Sequence, residues 1–324
     1  MNTKITVHRL ESIDQFRGFA IVTMVLANFT SNIHTIPAWL HHAPDIGLTP
    51  PDLVAPFFIF AIGLTFTLSA QRRASRDGWV KTTEHFFRRF MAILGIGSLM
   101  SAVAGWALND SCLINWGTLQ SIGVAGLMAL LVVRLPTLWR WGVGTVLLGG
   151  YQVLLDRYWV ETTVRSTNGG IQGAIAWGAM LILATALADL FHDPARGRKA
   201  YPWVSGLVLA VGVGLAFLTP VSKHRVSASY VVTTLGISAL LFWGFYLLAD
   251  RLRFRIPLLS AWGQNPLLLY LLHYAGTGVF FLPGIPVLYS EAPLWIVGLE
   301  LLMLLGALSW IAWRLRQKGY VFSL

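Results

Sequence analysis

The sequence predicts an all-α fold, a polytopic bundle of membrane-spanning helices, and three observations lead there. Hydrophobic residues make up 56% of the 324 residues. Charged residues make up 12%, about half the share expected of a soluble domain. Apolar runs recur along the whole chain, separated by short polar or proline-bearing stretches, in the pattern of successive bilayer crossings.

The runs fall at 16–33, 53–70, 90–108, 118–134, 141–155, 173–191, 203–219, 229–249, 264–282 and 293–313. They predict about ten helices in one transmembrane domain over 1–324, and ten spans of about 20 residues leave no room for a folded extramembrane domain. The opening MNTKITVHRLESIDQFRG is polar, and the run behind it has no small-residue cleavage site, so the first run is expected to be retained as a helix. Gly95-Ile96-Gly97 and Gly212-Val213-Gly214 lie inside runs, where they suit close helix approach rather than a phosphate loop.

Basic residues orient the chain. With the N-terminus inside, the cytoplasmic segments carry Lys4, Arg9, the cluster Arg72/Arg73/Arg76/Lys81/Arg88/Arg89, Arg134, Arg140, Arg196/Arg198/Lys199, Arg251/Arg253/Arg255 and Arg314/Arg316/Lys318. Arg17 sits at the start of the first run, and only Arg157, Arg165, Lys223 and Arg225 fall outside. The expected topology is therefore N-in, C-in, with an even number of crossings. The net charge of +10 follows from the same bias, and no nucleic-acid partner is expected. Cys112 is the single cysteine, which excludes an intrachain disulfide.

Ionisable residues within or beside apolar runs are the candidates for chemistry. Asp14 and Arg17 share a face at the mouth of the first helix, and Asp189 reads as an interfacial charge. Glu300 lies inside the last run and needs a partner the sequence does not name. Residues 28–63 carry Asn28, His34, His41, His42, Asp45 and Asp52 with no lysine or arginine. Pro50 and Pro51 suit a helix start, with Asp52 in the first turn, where the helix dipole favours a carboxylate. The histidine spacing matches no metal-ligand signature, so no metal is expected, and an imidazole near Asn and Asp suits base or nucleophilic catalysis better. Lys223 and Arg225 work against the insertion bias, either as tolerated charges or as a site for an anionic group. Gln120 lies at the outer end of the fourth run, and Asn265, Tyr270 and His273 lie in the ninth.

Ser12-Ile13-Asp14-Gln15-Phe16-Arg17-Gly18 is similar to the S-x-D-x-F-R-G opening of the membrane-bound heparan-α-glucosaminide N-acetyltransferase family, which includes shorter bacterial relatives. The likeness continues through Asn28, His42-Ala43, Gly47-Leu48-Thr49, Asp52-Leu53-Val54-x-Pro56-Phe57-Phe58 and Gly63. Supporting matches are Gly117-x-Leu119-Gln120, Pro220-x-x-Lys223 with Ser229-Tyr230, and Asn265 with Tyr270 and His273. The resemblance implies an enzyme of the bacterial inner membrane that moves an acetyl group from acetyl-CoA to an amino sugar or related glycan, with a homodimer as the family's assembly. It matches His42 to the catalytic histidine, as base or nucleophile, and Asn28 to the active-site asparagine. Asp52 is expected to orient His42 if the loop folds back. Gln120, Lys223, Arg225, Asn265, Tyr270 and His273 are the expected coenzyme contacts. Ser121 stands where the family often has Gln-Arg, and the large luminal domain of the animal enzyme has no counterpart, so the acceptor stays open. An O-acyltransferase of a periplasmic glycan or lipid, and a small-molecule transporter, are the alternative readings.

Overall fold

The computed structural model describes residues 10–109, 115–195, 197–281 and 283–322. Lys4, Arg9, Cys112 and Arg196 lie outside them. The described residues form helices α1 (Glu11–Thr30), α2 (Val54–Asp77), α3 (Trp79–Asn109), α4 (Thr118–Val132), α5 (Thr137–Leu154), α6 (Val160–Val164), α7 (Gly170–His192), α8 (Gly197–Leu215), α9 (Ala228–Tyr246), α10 (Pro257–Gln264), α11 (Pro266–Phe281) and α12 (Leu294–Gln317). The protein is an all-α membrane helix bundle. Among the described residues, five stretches are long and apolar enough to cross a bilayer: Pro50–Asp77, Trp79–Trp106, Thr167–His192, Ala228–Arg251 and Leu294–Gln317. The chain divides into two compact units, residues 1–38 with 241–323, and residues 39–240.

In the first unit, α1 packs on α10 and α11, and α12 closes on α10 and α11. The α1–α10 crossing is made backbone on backbone. A Cβ at Gly18 would stand 1.9 Å from the Leu259 carbonyl oxygen, and one at Gly263 would stand 1.9 Å from that of Asp14. Only glycine permits this approach, which gives the glycine of the opening motif a packing reason. Leu10, at the α1 N-cap, offers no side-chain cap. The carboxylate of Asp250, in a π-helical turn after α9, accepts the Glu11 and Ser12 N–H groups at 3.1 Å each, where helix N–H groups favour an anion. Glu300 is 6% exposed, and its Oε2 has no hydrogen-bond partner among the described residues.

In the second unit, α7 is apolar on every side and packs against α2, α4, α5 and α8, as an all-round apolar helix must. Gly78 joins α2 directly to α3 with φ +80°, a conformation glycine adopts without strain. Arg140 departs from the expected loop position: it is 2% exposed and paired with Asp189. Its guanidinium also donates to Thr67 Oγ1 at 3.1 Å and to the Leu135 carbonyl at 3.1 Å, while Thr137 Oγ1 donates to Asp189 at 2.6 Å. Asp189 is therefore the counter-ion of a clamp between α2, α5 and α7 rather than a bare interfacial charge. A buried arginine requires such a partner.

Candidate active site

The site is built on the 3-10 turn Pro50–Leu53, which leads into α2. Asp52 closes a capping box on it: its Oδ2 accepts Thr49 N–H at 3.0 Å and the Thr49 hydroxyl at 2.8 Å. The same oxygen accepts Ala43 N–H at 3.3 Å, which folds the preceding loop back over the turn. Oδ1 then faces His42 Nδ1 at 2.7 Å, with the Asp52 side chain 0% and the His42 side chain 33% exposed. The carboxylate can only accept, so the imidazole proton belongs on Nδ1, and Nε2 keeps its lone pair. Asp52 thus occupies the helix-start position expected of it and contacts the ring as well.

Lys223, distant in sequence, reaches the same ring. Its Nζ stands 3.0 Å from Nδ1 and 3.2 Å from Nε2 of His42, and 4.0 Å from Asp52 Oδ1. Burial pulls the Lys223 ammonium down to about 8, against the opposing pull of the Asp52 charge. Burial also lowers the His42 pKa from its ordinary value, outweighing the Asp52 hydrogen bond, and Lys223 pushes the same way. The result is a neutral imidazole at neutral pH, with a fixed tautomer and a cation beside it.

The loop carrying Lys223 is pinned from several sides. Asp45 accepts the Arg225 guanidinium in a forked pair and the Ser222 hydroxyl at 2.8 Å. Gly47 N–H donates to the Val221 carbonyl at 2.8 Å. Arg225 holds the Asp45 carboxyl below its ordinary pKa, chiefly by hydrogen bonding. Tyr151 donates its hydroxyl to the Arg225 carbonyl at 2.6 Å, Gln152 accepts Ala228 N–H at 2.7 Å, and Tyr230 donates to the Asp52 carbonyl at 2.6 Å. Val226, between these anchors, has φ +49°, a conformation a β-branched residue holds only when its surroundings over-determine it. Tyr151 and Gln152 are not among the candidates named from the sequence, and Thr49 enters there only within the Gly47-Leu48-Thr49 match. A glutamine inside the apolar run 141–155 was the readable signal for one of them.

The remaining candidates make contacts of their own. Gln120 caps α4, accepting Gly117 N–H at 3.1 Å and donating to the Asn115 carbonyl at 3.1 Å. Beside it Ser121 accepts the Trp116 indole N–H at 2.9 Å. In the first unit Asn28 Nδ2 donates to His273 Nε2 at 3.0 Å, and His273 Nδ1 donates to the Tyr270 carbonyl. The Tyr270 ring stands edge-on to His273, with centroids 5.3 Å apart, and its hydroxyl meets that of Tyr274 at 3.4 Å. Asn265 donates to the Tyr320 carbonyl at 3.1 Å and accepts Phe322 N–H at 2.7 Å, tying down the segment after α12. Among the described residues no group of three His, Cys, Asp or Glu side chains could hold a metal ion.

Comparison with known proteins adds a family match and two relatives. The family model described as heparan-alpha-glucosaminide N-acetyltransferase, catalytic, matches residues 9–249. The heparan-alpha-glucosaminide N-acetyltransferase of Homo sapiens is 41% identical over 61 residues, 19% of this chain and 9% of that protein. Its Mus musculus counterpart is 38% identical over 64 residues, 20% of this chain and 9% of that protein. The matched segments span about a tenth of the length of those relatives.

Proposed function

From the premise that the chain belongs to the heparan-α-glucosaminide N-acetyltransferase catalytic family, we propose that it transfers the acetyl group of acetyl-CoA to the amine of an amino sugar or related glycan. The observation that carries this reading is the 2.7 Å contact between His42 Nδ1 and the buried Asp52 carboxylate, which leaves Nε2 as the base. In this reaction the acceptor nitrogen attacks the thioester carbonyl carbon while His42 Nε2 takes the amine proton. The tetrahedral intermediate collapses with cleavage of the C–S bond, and the CoA thiolate leaves with the electron pair and takes the proton from the imidazolium.

Asp52 is a positioning residue that fixes the tautomer and stabilises the transient imidazolium. Lys223 supplies positive charge beside the ring, where oxyanion and thiolate develop. Asn28, whose amide donates to His273, is assigned as the active-site asparagine that stabilises the oxyanion, on the strength of the family resemblance. The basic-residue distribution supports N-in, C-in insertion in a bacterial inner membrane, with His42 and Lys223 on the outer side.

The test is glucosamine-dependent release of CoA by purified protein. His42→Ala is expected to lower turnover by on the order of a hundredfold to ten-thousandfold, the range of a general base, with an unchanged elution profile. Wild-type turnover in that variant would overturn the assignment.

A further inference from the structure

The turn between α2 and α3 holds a second concentration of charge, distinct from the His42 site. Residues 72–89 carry six basic side chains, Arg72, Arg73, Arg76, Lys81, Arg88 and Arg89, against two carboxylates, Asp77 and Glu84. Both carboxylates are engaged: Asp77 accepts Arg76 at 2.9 and 3.1 Å, and Glu84 accepts Arg88 at 2.5 Å. Arg72 and Arg89 have no carboxylate partner among the described residues. The Arg73 Nε is buried without a hydrogen bond, its nearest carboxylate oxygen, on Asp77, standing off at 3.5 Å. Arg72, Arg73, Arg76 and Arg89 converge with Ser69, His85 and Phe86 on one open cleft of about 240 Å3.

Retention of positive charge on one side of a membrane explains the sign of these residues but not their convergence. Arg253 and Arg255 carry the same charge in an exposed connection. Arg73 and Arg76 share the one carboxylate of Asp77, which leaves the Arg72 and Arg89 charges beside them uncompensated, and planar guanidinium forks match the oxygens of a phosphate. Ser69 and His85 add hydrogen-bonding groups, and Phe86 gives an apolar wall. We propose that this cleft binds a phosphate group.

The cleft is lined by the last turns of the stretch Pro50–Asp77 and the first turns of Trp79–Trp106, the ends of two candidate spans, where basic side chains are expected to meet headgroups. Val80, 83% exposed, and the exposed Phe87 and Met91 lie on the same hairpin. A phosphate can reach this level as an anionic lipid headgroup or on a soluble nucleotide. The nucleotide source leans on the acetyl-transfer reading; the lipid source does not.

The experiment measures binding without turnover, so its failure is separable from failure of that reading. Protein in phosphatidylcholine nanodiscs is titrated with phosphatidylglycerol, read by native mass spectrometry, and separately with adenosine 3′,5′-bisphosphate, read by equilibrium dialysis. The variant Arg72→Gln/Arg89→Gln is compared with Arg253→Gln/Arg255→Gln, which removes equal charge elsewhere. The cleft variant is expected to bind one probe about tenfold more weakly, with the control unchanged. Loss confined to phosphatidylglycerol assigns a lipid headgroup, and loss confined to the bisphosphate assigns a soluble phosphate. Equal losses in both variants, or no loss in either, overturn the proposal. If the double variant elutes as aggregate, Arg72→Gln alone and Arg89→Lys are read by the same criteria.

Discussion

Asp52→Asn probes the site most directly, because it exchanges one oxygen for an amide nitrogen and leaves the shape of the turn intact. In the wild type Oδ2 accepts three donors and Oδ1 accepts His42 Nδ1–H at 2.7 Å. An asparagine that keeps its oxygen on the Thr49 and Ala43 donors must turn its NH2 toward His42. Nδ1 then becomes the acceptor and the ring proton moves to Nε2, so the base loses its lone pair. The expected loss in kcat is on the order of a thousandfold to ten-thousandfold, about 4–5 kcal/mol of barrier. The capping bonds survive, so the unfolding temperature is expected to move by no more than a few degrees.

CoA release followed across pH separates this tautomer effect from general damage. Asp52 raises the His42 pKa by hydrogen bond and charge, so its removal shifts the acid limb of the profile to lower pH while the plateau falls. Thr49→Ala removes a donor from the same carboxylate without touching the ring, and is expected to lower stability by about 1 kcal/mol with a far smaller loss in kcat. A kcat for Asp52→Asn within a few fold of wild type, or an acid limb that stays in place, would refute the reasoning.

Lys223→Met is expected to lower kcat at least about tenfold while raising stability near neutral pH by on the order of 1–3 kcal/mol. The sign follows from the lysine's folded pKa of about 8, below its unfolded value of 10.5: the buried ammonium is a penalty below pH 8 that fades as pH rises toward 10.5. Melting curves at pH 7 and pH 10 check it, with the gap between variant and wild type closing at the higher pH. Gly18→Ala drives a methyl into the Leu259 carbonyl and is expected to destabilise by about 3 kcal/mol or more, seen as loss of folded protein in size-exclusion chromatography. In a Cys112→Ser background, Pro44→Cys at this exposed loop position is expected to react with an impermeant thiol reagent from the periplasmic side. Labelling only from the cytoplasm would reverse the proposed topology.

Most helices were legible because each apolar run had to bury a full turn-by-turn surface in lipid or in a neighbour. The ends were less so. α3 begins at Trp79, well before the apolar run at 90, because charged side chains on its first turns remain compatible with helix. α10 escaped notice because its eight residues sit between Pro257 and Pro266, too short to leave a period of their own. The proximity of His42 to Asp52 was partly legible, since ten residues and a proline-led turn allow the loop to double back. Lys223 against His42 was not, because nothing in a local pattern reports a contact 181 residues apart. Arg140 misled for a related reason: its position at the border of a run looked solvated until Asp189 and Thr67 were seen to close around it.

The ring of His42 is assembled from partners at very different distances along the chain, and this orders its biogenesis. Its contact with Asp52 closes over ten residues, within the segment that precedes α2, and needs only that segment and the start of α2 to be in place. Lys223 joins after more than a hundred further residues have been inserted, together with the Asp45–Arg225 clamp that locks its loop. A nascent chain therefore carries a His–Asp pair with no cation beside it until α8 and the loop before α9 arrive. Ala228 and Tyr230, which pin the Lys223 loop from α9, follow it in sequence, so the full set of groups around the ammonium is complete only once the start of α9 has been made as well.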